Sequence, residues 1–184
     1  MSPVNLTLHP ELSLLYLPDV VSAPAAVFAA LASSIAWDTR MRARKTACFG
    51  VPYDYSGMRY AEQPMPPQLD ELAALVERHV GARPNSCLVN LYEDGQARMG
   101  FHVDSEAQLV DGAGVTVISL GSARTLVFRK LADRGVRVGV RLASGSLLHM
   151  PRASQRVWQH GVPGEGGASP RMSCTFRQLA PRAL

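Results

Sequence analysis

The 184-residue chain is 47% hydrophobic and 18% charged, ordinary proportions that exclude a disordered polymer and leave room for one domain with a real core. A formal net charge of +4 permits a polyanionic partner without requiring one. Three widely spaced cysteines (Cys48, Cys87, Cys174) with no CxxC, no basic n-region at the start and no apolar run of membrane-spanning length point to a soluble intracellular protein with reduced thiols, cytoplasmic if bacterial.

Residues 1–21 scatter Leu and Val between prolines and read as an extended lead-in with one strand around Leu14 to Leu17. Ser22 is placed to cap a helix with Pro24 in its first turn, where a missing N–H costs nothing. Val27, Leu31 and Ile35 give that helix a one-sided apolar stripe. The run Arg40-Met41-Arg42-Ala43-Arg44-Lys45 is the densest basic cluster, either a solvated face or, in the sharper alternative, an edge that contacts phosphates. Phe49 to Gly57 has the texture of a turn-rich strand pair with Tyr53 and Tyr55 on one face. A second helix is predicted from Pro67 to Val80, with Leu69, Leu72, Ala73, Val76 and Val80 on its buried face and Gly81 ending it.

After Gly81 short strands follow at close intervals: Cys87 to Tyr92, Met99 to Asp104, Val115 to Leu120, Thr125 to Lys130, Val136 to Leu142, Ser146 to Met150, Arg156 to Gly161 and Met172 to Leu179. Eight short strands behind two helices predict a mainly β (α+β) double-stranded β-helix, or jelly roll, with both helices packed on one sheet. The expected organisation is a single domain over residues 1–184. It has the lead-in at 1–21, the helices and a substrate-facing hairpin at 22–85, and the jelly-roll core at 86–180.

On a strand from Met99 to Asp104, alternation points His102 and Asp104 the same way. A neutral imidazole beside a carboxylate suits a divalent metal, and His160, in Val157-Trp158-Gln159-His160-Gly161, is the best third ligand. Two His and one carboxylate with open positions is the facial triad of non-haem Fe(II) oxygenases. A lone HxD is a weak signal, because such a pair is more often a surface or hydrogen-bonded one. The last strand adds to it. Arg171, Ser173, Thr175 and Arg177 alternate on one face while Met172, Cys174 and Phe176 share the other. Two inward guanidiniums are costly unless they meet an anion, and a dicarboxylate would satisfy both.

Taken together these residues resemble the AlkB family of Fe(II)/2-oxoglutarate-dependent nucleic-acid dealkylases, over about Arg44 to Leu179. The resemblance is carried by Asn90-Leu91-Tyr92, His102-Val103-Asp104-Ser105-Glu106, Ser119-Leu120-Gly121, Phe128-Arg129, Gly145 to Met150, Gln155 to His160 and the Arg171 to Arg177 heptad. It implies Fe(II) held by His102, Asp104 and His160, with O2 and 2-oxoglutarate as co-substrates. 2-Oxoglutarate would be anchored on Arg171, with Asn90, Tyr92, Ser173, Thr175 and Arg177 completing its pocket. It further implies oxidative demethylation of N-alkylated bases such as 1-methyladenine and 3-methylcytosine, flipped out of the stack and releasing formaldehyde. Tyr55 takes the family's stacking position, with Tyr53 beside it. Ser105 and Glu106 belong to the same substrate face, Glu106 meeting the exocyclic nitrogen of a cationic base.

Two positions depart from the family pattern: Ser173 stands where Asn is usual, and Arg152 interrupts a run in which Gly is common. The hairpin with which some duplex-acting relatives replace a flipped base is not evident between Trp37 and Arg44, so single-stranded alkylated DNA is the expected partner and RNA the alternative. The same chemistry on a protein side chain or small molecule is the competing reading, and it would not need Tyr55, Glu106 or the basic cluster. A monomer is expected, with no membrane partner.

Overall fold

The computed structural model describes residues 4–53, 60–106 and 108–180. The strand expected around Leu14 to Leu17 is β2 (Leu12–Leu17), but the lead-in before it is a strand as well: β1 (Val4–His9) forms a hairpin with β2, and β2 pairs onward with β9 (Ser146–Met150). Leu12 and Leu14 are buried through this pairing, whose partner strand lies far along the chain where no local period reveals it. Helix α1 (Pro24–Ser34) follows. Ser22 does not cap it: the N-cap is Ala23, in the left-handed region at φ 48°, and no side chain supplies a cap bond. The turn is set by tertiary contact, since the N–H groups of Val20 and Val21 both donate to Gly145 O, at 2.9 and 3.2 Å.

Strand β3 (Lys45–Gly50) precedes helix α2 (Pro67–Val80). Leu69, Leu72, Ala73 and Val76 of α2 are buried, Val80 packs at the edge of the same cluster, and Gly81 ends the helix at φ 83° with its N–H on Glu77 O. The second half of the strand pair expected at Phe49 to Gly57 lies outside the described residues. The remaining elements are β4 (Ser86–Tyr92), β5 (Met99–His102), β6 (Val115–Gly121), β7 (Arg124–Lys130), β8 (Arg137–Leu142), the one-turn helix α3 (Arg152–Gln155), β10 (Trp158–Val162) and β11 (Arg171–Arg177).

Among the described residues seven strands form one sheet in the order β1-β2-β9-β6-β11-β4-β3, and four form the other in the order β5-β10-β7-β8. Every pairing between these strands is antiparallel, and the two sheets enclose a jelly roll. Two hydrophobic layers result. Leu31, Leu69, Leu72 and Val76 of the helices pack on Val89, Ile118, Met172, Cys174 and Phe176 of the large sheet. Leu12, Leu88, Val117, Phe128, Val140 and Trp158 fill the space between the sheets. The helices thus cover one face of the large sheet, and its other face lines a cleft against the small one.

Candidate active site

Strand β11 runs between β6 and β4 in the middle of the large sheet. Its alternation sends Met172, Cys174 and Phe176 under the helices, while Arg171, Ser173, Thr175 and Arg177 line the cleft between the sheets. Register brings Asn90 of β4 opposite Ser173 and Tyr92 opposite Arg171. From the small sheet, β10 sets His160 directly opposite His102 of β5, their ring centroids 4.5 Å apart. This close approach needs the glycine after His160: a Cβ on Gly161 would lie 2.9 Å from Met99 O.

The ligand-type atoms of His102, Asp104 and His160 all lie within 4.8 Å of one another. His102 Nδ1 is 3.0 Å from Gly100 O; a carbonyl only accepts, so Nδ1 carries the proton and Nε2 keeps its lone pair. Asp104 Oδ1 accepts from Arg177 Nη2 at 2.5 Å. Its Oδ2 is buried without a hydrogen-bond donor, 3.4 Å from His160 Nε2. Burial alone would raise the Asp104 pKa, but the positive charge of Arg177 and the neighbouring imidazoles override it and hold the group well below the usual carboxylate range. Burial pushes His160 down to about 4 and lowers His102 as well, so both rings are neutral near pH 7. An ionised, donor-free carboxylate oxygen facing neutral imidazoles in a buried site is short of a cation, and the donor set fits Fe(II).

One element of the expectation does not hold. Strand β5 ends at His102, so Asp104 does not reach the site by strand alternation. Val103 is 39% exposed and the chain turns inward again at buried Asp104. The Asp104 N–H donates to Gln155 Oε1 at 3.1 Å, and the next amide, of Ser105, donates to Tyr53 Oη at 2.9 Å. Side chains from elsewhere replace the missing ladder.

At the other group of cleft residues, the Arg171 guanidinium is fully enclosed. Its Nε donates to Ser119 Oγ at 3.0 Å, it stands 5.1 Å from the Tyr92 ring centroid, and its Nη1 has no hydrogen-bond partner. Among the described residues no carboxylate lies within ion-pair distance of it. Asn90 accepts from Arg44 Nε at 2.7 Å through Oδ1, and its Nδ2 faces Ser173 Oγ at 3.4 Å. Thr175 and Tyr92 are buried in the same cleft wall.

The expected substrate face is altered more. Tyr53 is 1% exposed, with the Arg177 guanidinium 3.9 Å from its ring centroid, so it is a buried strut and not a surface on which a base can stack. Tyr55 lies outside the described residues. Ser105 is exposed beside the site. Glu106 does not present a bare carboxylate: Arg152 Nε bonds it at 2.9 Å and Arg156 Nη2 lies 3.3 Å away, and these guanidiniums hold its pKa down. The basic cluster is likewise no continuous phosphate edge. Arg44 is buried against Asn90, Lys45 pairs with Glu93 at 2.7 Å, and Arg40 pairs with Asp38.

Sequence reasoning missed the supporting roles of Gln155, Ser119, Arg44 and Arg124. Arg124 is fully buried and donates to the carbonyls of Asp94, Ala97 and Pro163, at 3.2, 3.0 and 2.6 Å, clamping the loops around the cleft. Alternation with buried Leu126 and Phe128 was a signal that it points inward.

The profile of the 2OG-Fe(II) oxygenase superfamily matches residues 27–177, and the chain belongs to that superfamily. Its members use Fe(II), 2-oxoglutarate and O2. The chain is 34% identical over 149 residues to the DNA oxidative demethylase ALKBH2 of Bos taurus, covering 75% of this chain and 54% of that protein. It is 35% identical over 156 residues to the alpha-ketoglutarate-dependent dioxygenase alkB homolog 3 of Homo sapiens, covering 78% of this chain and 54% of that one. Within the superfamily it therefore falls in the AlkB family, although it spans only about half the length of these relatives. The solved structure of OsALKBH1 superposes with a TM-score of 0.70 at 19% identity over 94% of this chain and all of that one, a likeness of fold.

Proposed function

We propose that this chain is an Fe(II)/2-oxoglutarate-dependent oxidative demethylase of N-alkylated bases in DNA, with single-stranded DNA carrying lesions such as 1-methyladenine and 3-methylcytosine as its substrate. The observation that carries the chemistry is the joint lining of one cleft by a His-Asp-His cluster, with Asp104 and His160 buried and His102 half-buried, and by a buried guanidinium with no carboxylate partner among the described residues. The substrate reading is supported by the DNA oxidative demethylase activity in the name of the ALKBH2 relative and by the net charge of +4.

In this reading His102, Asp104 and His160 would hold Fe(II), which with O2 and 2-oxoglutarate would supply the oxidation that releases an N-methyl group as formaldehyde. Arg177 fixes one oxygen of Asp104 and leaves the other for the metal. Arg171 receives the far carboxylate of 2-oxoglutarate through its planar fork, and Ser119 holds the fork in place. Asn90, Tyr92, Ser173 and Thr175 shape the rest of that pocket. Ser173 keeps a hydroxyl within reach of Asn90 although it is shorter than the usual Asn, and Arg44 turns the Asn90 amide so that its N–H groups face Ser173. Tyr55 would be the residue that stacks on the flipped base, with the exposed Ser105 at its edge.

The test is to load the protein anaerobically with iron, add 2-oxoglutarate, oxygen and oligonucleotides carrying single methylated bases, and follow formaldehyde and succinate. Formaldehyde released in step with succinate from methylated single strands is the expected result. Succinate without formaldehyde from any methylated oligonucleotide would keep the oxygenase chemistry and reject DNA as its substrate.

A further inference from the structure

Beyond the three ligands, the structure gives the middle ligand an unusual support. The β ladder that positions His102 stops there, the following Val103 is exposed, and Asp104 returns to the interior with 3% of its surface accessible. A residue outside a ladder keeps a defined backbone only if other groups take its amide. Here the acceptor is the side-chain oxygen of Gln155, itself 3% exposed, at 3.1 Å from the Asp104 nitrogen.

Gln155 ends the one-turn helix α3, five residues before His160. The same short stretch therefore delivers the third ligand and grips the backbone of the second. Flanking contacts lock both segments in one register. Tyr53 Oη takes the Ser105 N–H, Arg152 of α3 bonds the Glu106 carboxylate, and the Arg152 Nη1 also reaches Asp111 at 2.9 Å. Consecutive residues 104 to 106 are each held from outside their own strand, and two of the three holds come from α3.

We propose that Gln155 is a positioning residue for the metal site: its amide oxygen sets the Asp104 backbone so that the carboxylate completes the triad with His160. This rests on the reading of His102, Asp104 and His160 as a metal site. A hydrogen-bonded outer partner of this kind typically contributes 10- to 100-fold in metal affinity. A merely structural Gln155 would lower the melting temperature on removal yet leave the folded protein's metal affinity unchanged.

The experiment titrates the anaerobic, metal-free full chain with Mn(II), reading free ion by electron paramagnetic resonance, with a thermal melt of each variant beside it. Gln155→Met has nearly the same volume and replaces the amide oxygen with a thioether that accepts only weakly, and its Mn(II) dissociation constant should rise about 10- to 100-fold while the melt still shows a folded protein. Gln155→Glu restores an oxygen at the same reach and should bind Mn(II) at least as tightly as wild type. Should Gln155→Met fail to fold, Gln155→Asn withdraws the amide oxygen by one methylene and should weaken binding in the same direction. Unchanged affinity in Gln155→Met or Gln155→Asn would overturn the proposal while leaving the triad intact, as would equal weakening in Gln155→Glu. If wild type itself binds no Mn(II) and its turnover needs no divalent ion, the metal reading falls first and this inference with it.

Discussion

Replacing Arg171 with Met should pull stability and co-substrate affinity in opposite directions. Without a bound dicarboxylate, Arg171 is a buried cation whose Nη1 lacks a partner, and burial pushes its pKa down. Exchanging such a charge for an apolar side chain of similar volume is commonly neutral or stabilising by about 1–4 kcal/mol. Loss of the bond to Ser119 Oγ offsets roughly 1 kcal/mol of that. The net change runs from a loss of about 1 to a gain of about 3 kcal/mol, and at about 2–4 °C per kcal/mol for a chain of this size the ligand-free protein should melt within about 4 °C of wild type or up to about 10 °C higher. Two fork bonds to a carboxylate are worth about 1.5–3 kcal/mol each, so 2-oxoglutarate affinity should fall by at least about 10²-fold. Arg171→Lys keeps the charge and one bond, and should lose about 10- to 150-fold. Melting curves of the metal-free variants and calorimetric titration of the Mn(II)-loaded proteins with 2-oxoglutarate measure the two effects. A lower melting temperature with unchanged affinity would make Arg171 a structural residue and place the dicarboxylate elsewhere.

Other variants separate ligands from their supports. His102→Ala and Asp104→Ala should both abolish succinate formation. Asp104→Ala should also lower unfolding stability by about 3–5 kcal/mol in urea melts, because it strips the buried Arg177 of its carboxylate. Equal stability of the two variants would show that the Arg177 pair does not support the fold. The depressed His160 gives the metal-free protein a defined pH response. Its folded pKa of about 4 lies below the unfolded value near 6.5, so the unfolded chain binds the extra proton in that window. The contribution, on the order of 3 kcal/mol, is fully present above pH 6.5 and is lost as pH falls towards 4; His160→Gln should flatten this part of a stability-against-pH curve. Arg44→Met removes the donor that orients Asn90 and should weaken 2-oxoglutarate binding with no change in the salt dependence of oligonucleotide binding. Arg42→Gln should do the reverse, lowering the salt slope by up to about 0.7 for single strands.

Much of this protein was legible in one dimension because its signals are periodic. The alternation of Arg171, Ser173, Thr175 and Arg177 against Met172, Cys174 and Phe176 is a property of any strand with two different faces. The larger set of strands predicts the jelly roll in the same way. The stripe from Leu69 to Val76 and the glycine after Val80 define α2 without reference to the rest of the chain. His102, Asp104 and His160 stood out by residue type and order, and Arg171 by the cost of burying it.

The fold alone decided the matters that depend on which distant group arrives. β1 and β2 became part of the large sheet because β9 lies beside β2, and α1 has its N-cap at Ala23 because Gly145 O takes the amides of Val20 and Val21. Tyr53, expected beside the stacking Tyr55 on the substrate face, became a strut because Arg177 and the Ser105 amide close over it. Glu106, read as facing a substrate, is turned to Arg152, and Arg44, left open between a solvated face and a phosphate edge, is turned to Asn90. Asp104 reached the site by a turn gripped by Gln155 and not by strand alternation. A side chain's period follows from its neighbours along the chain. Its partner is set by residues tens of positions away, and at those distances only packing chooses.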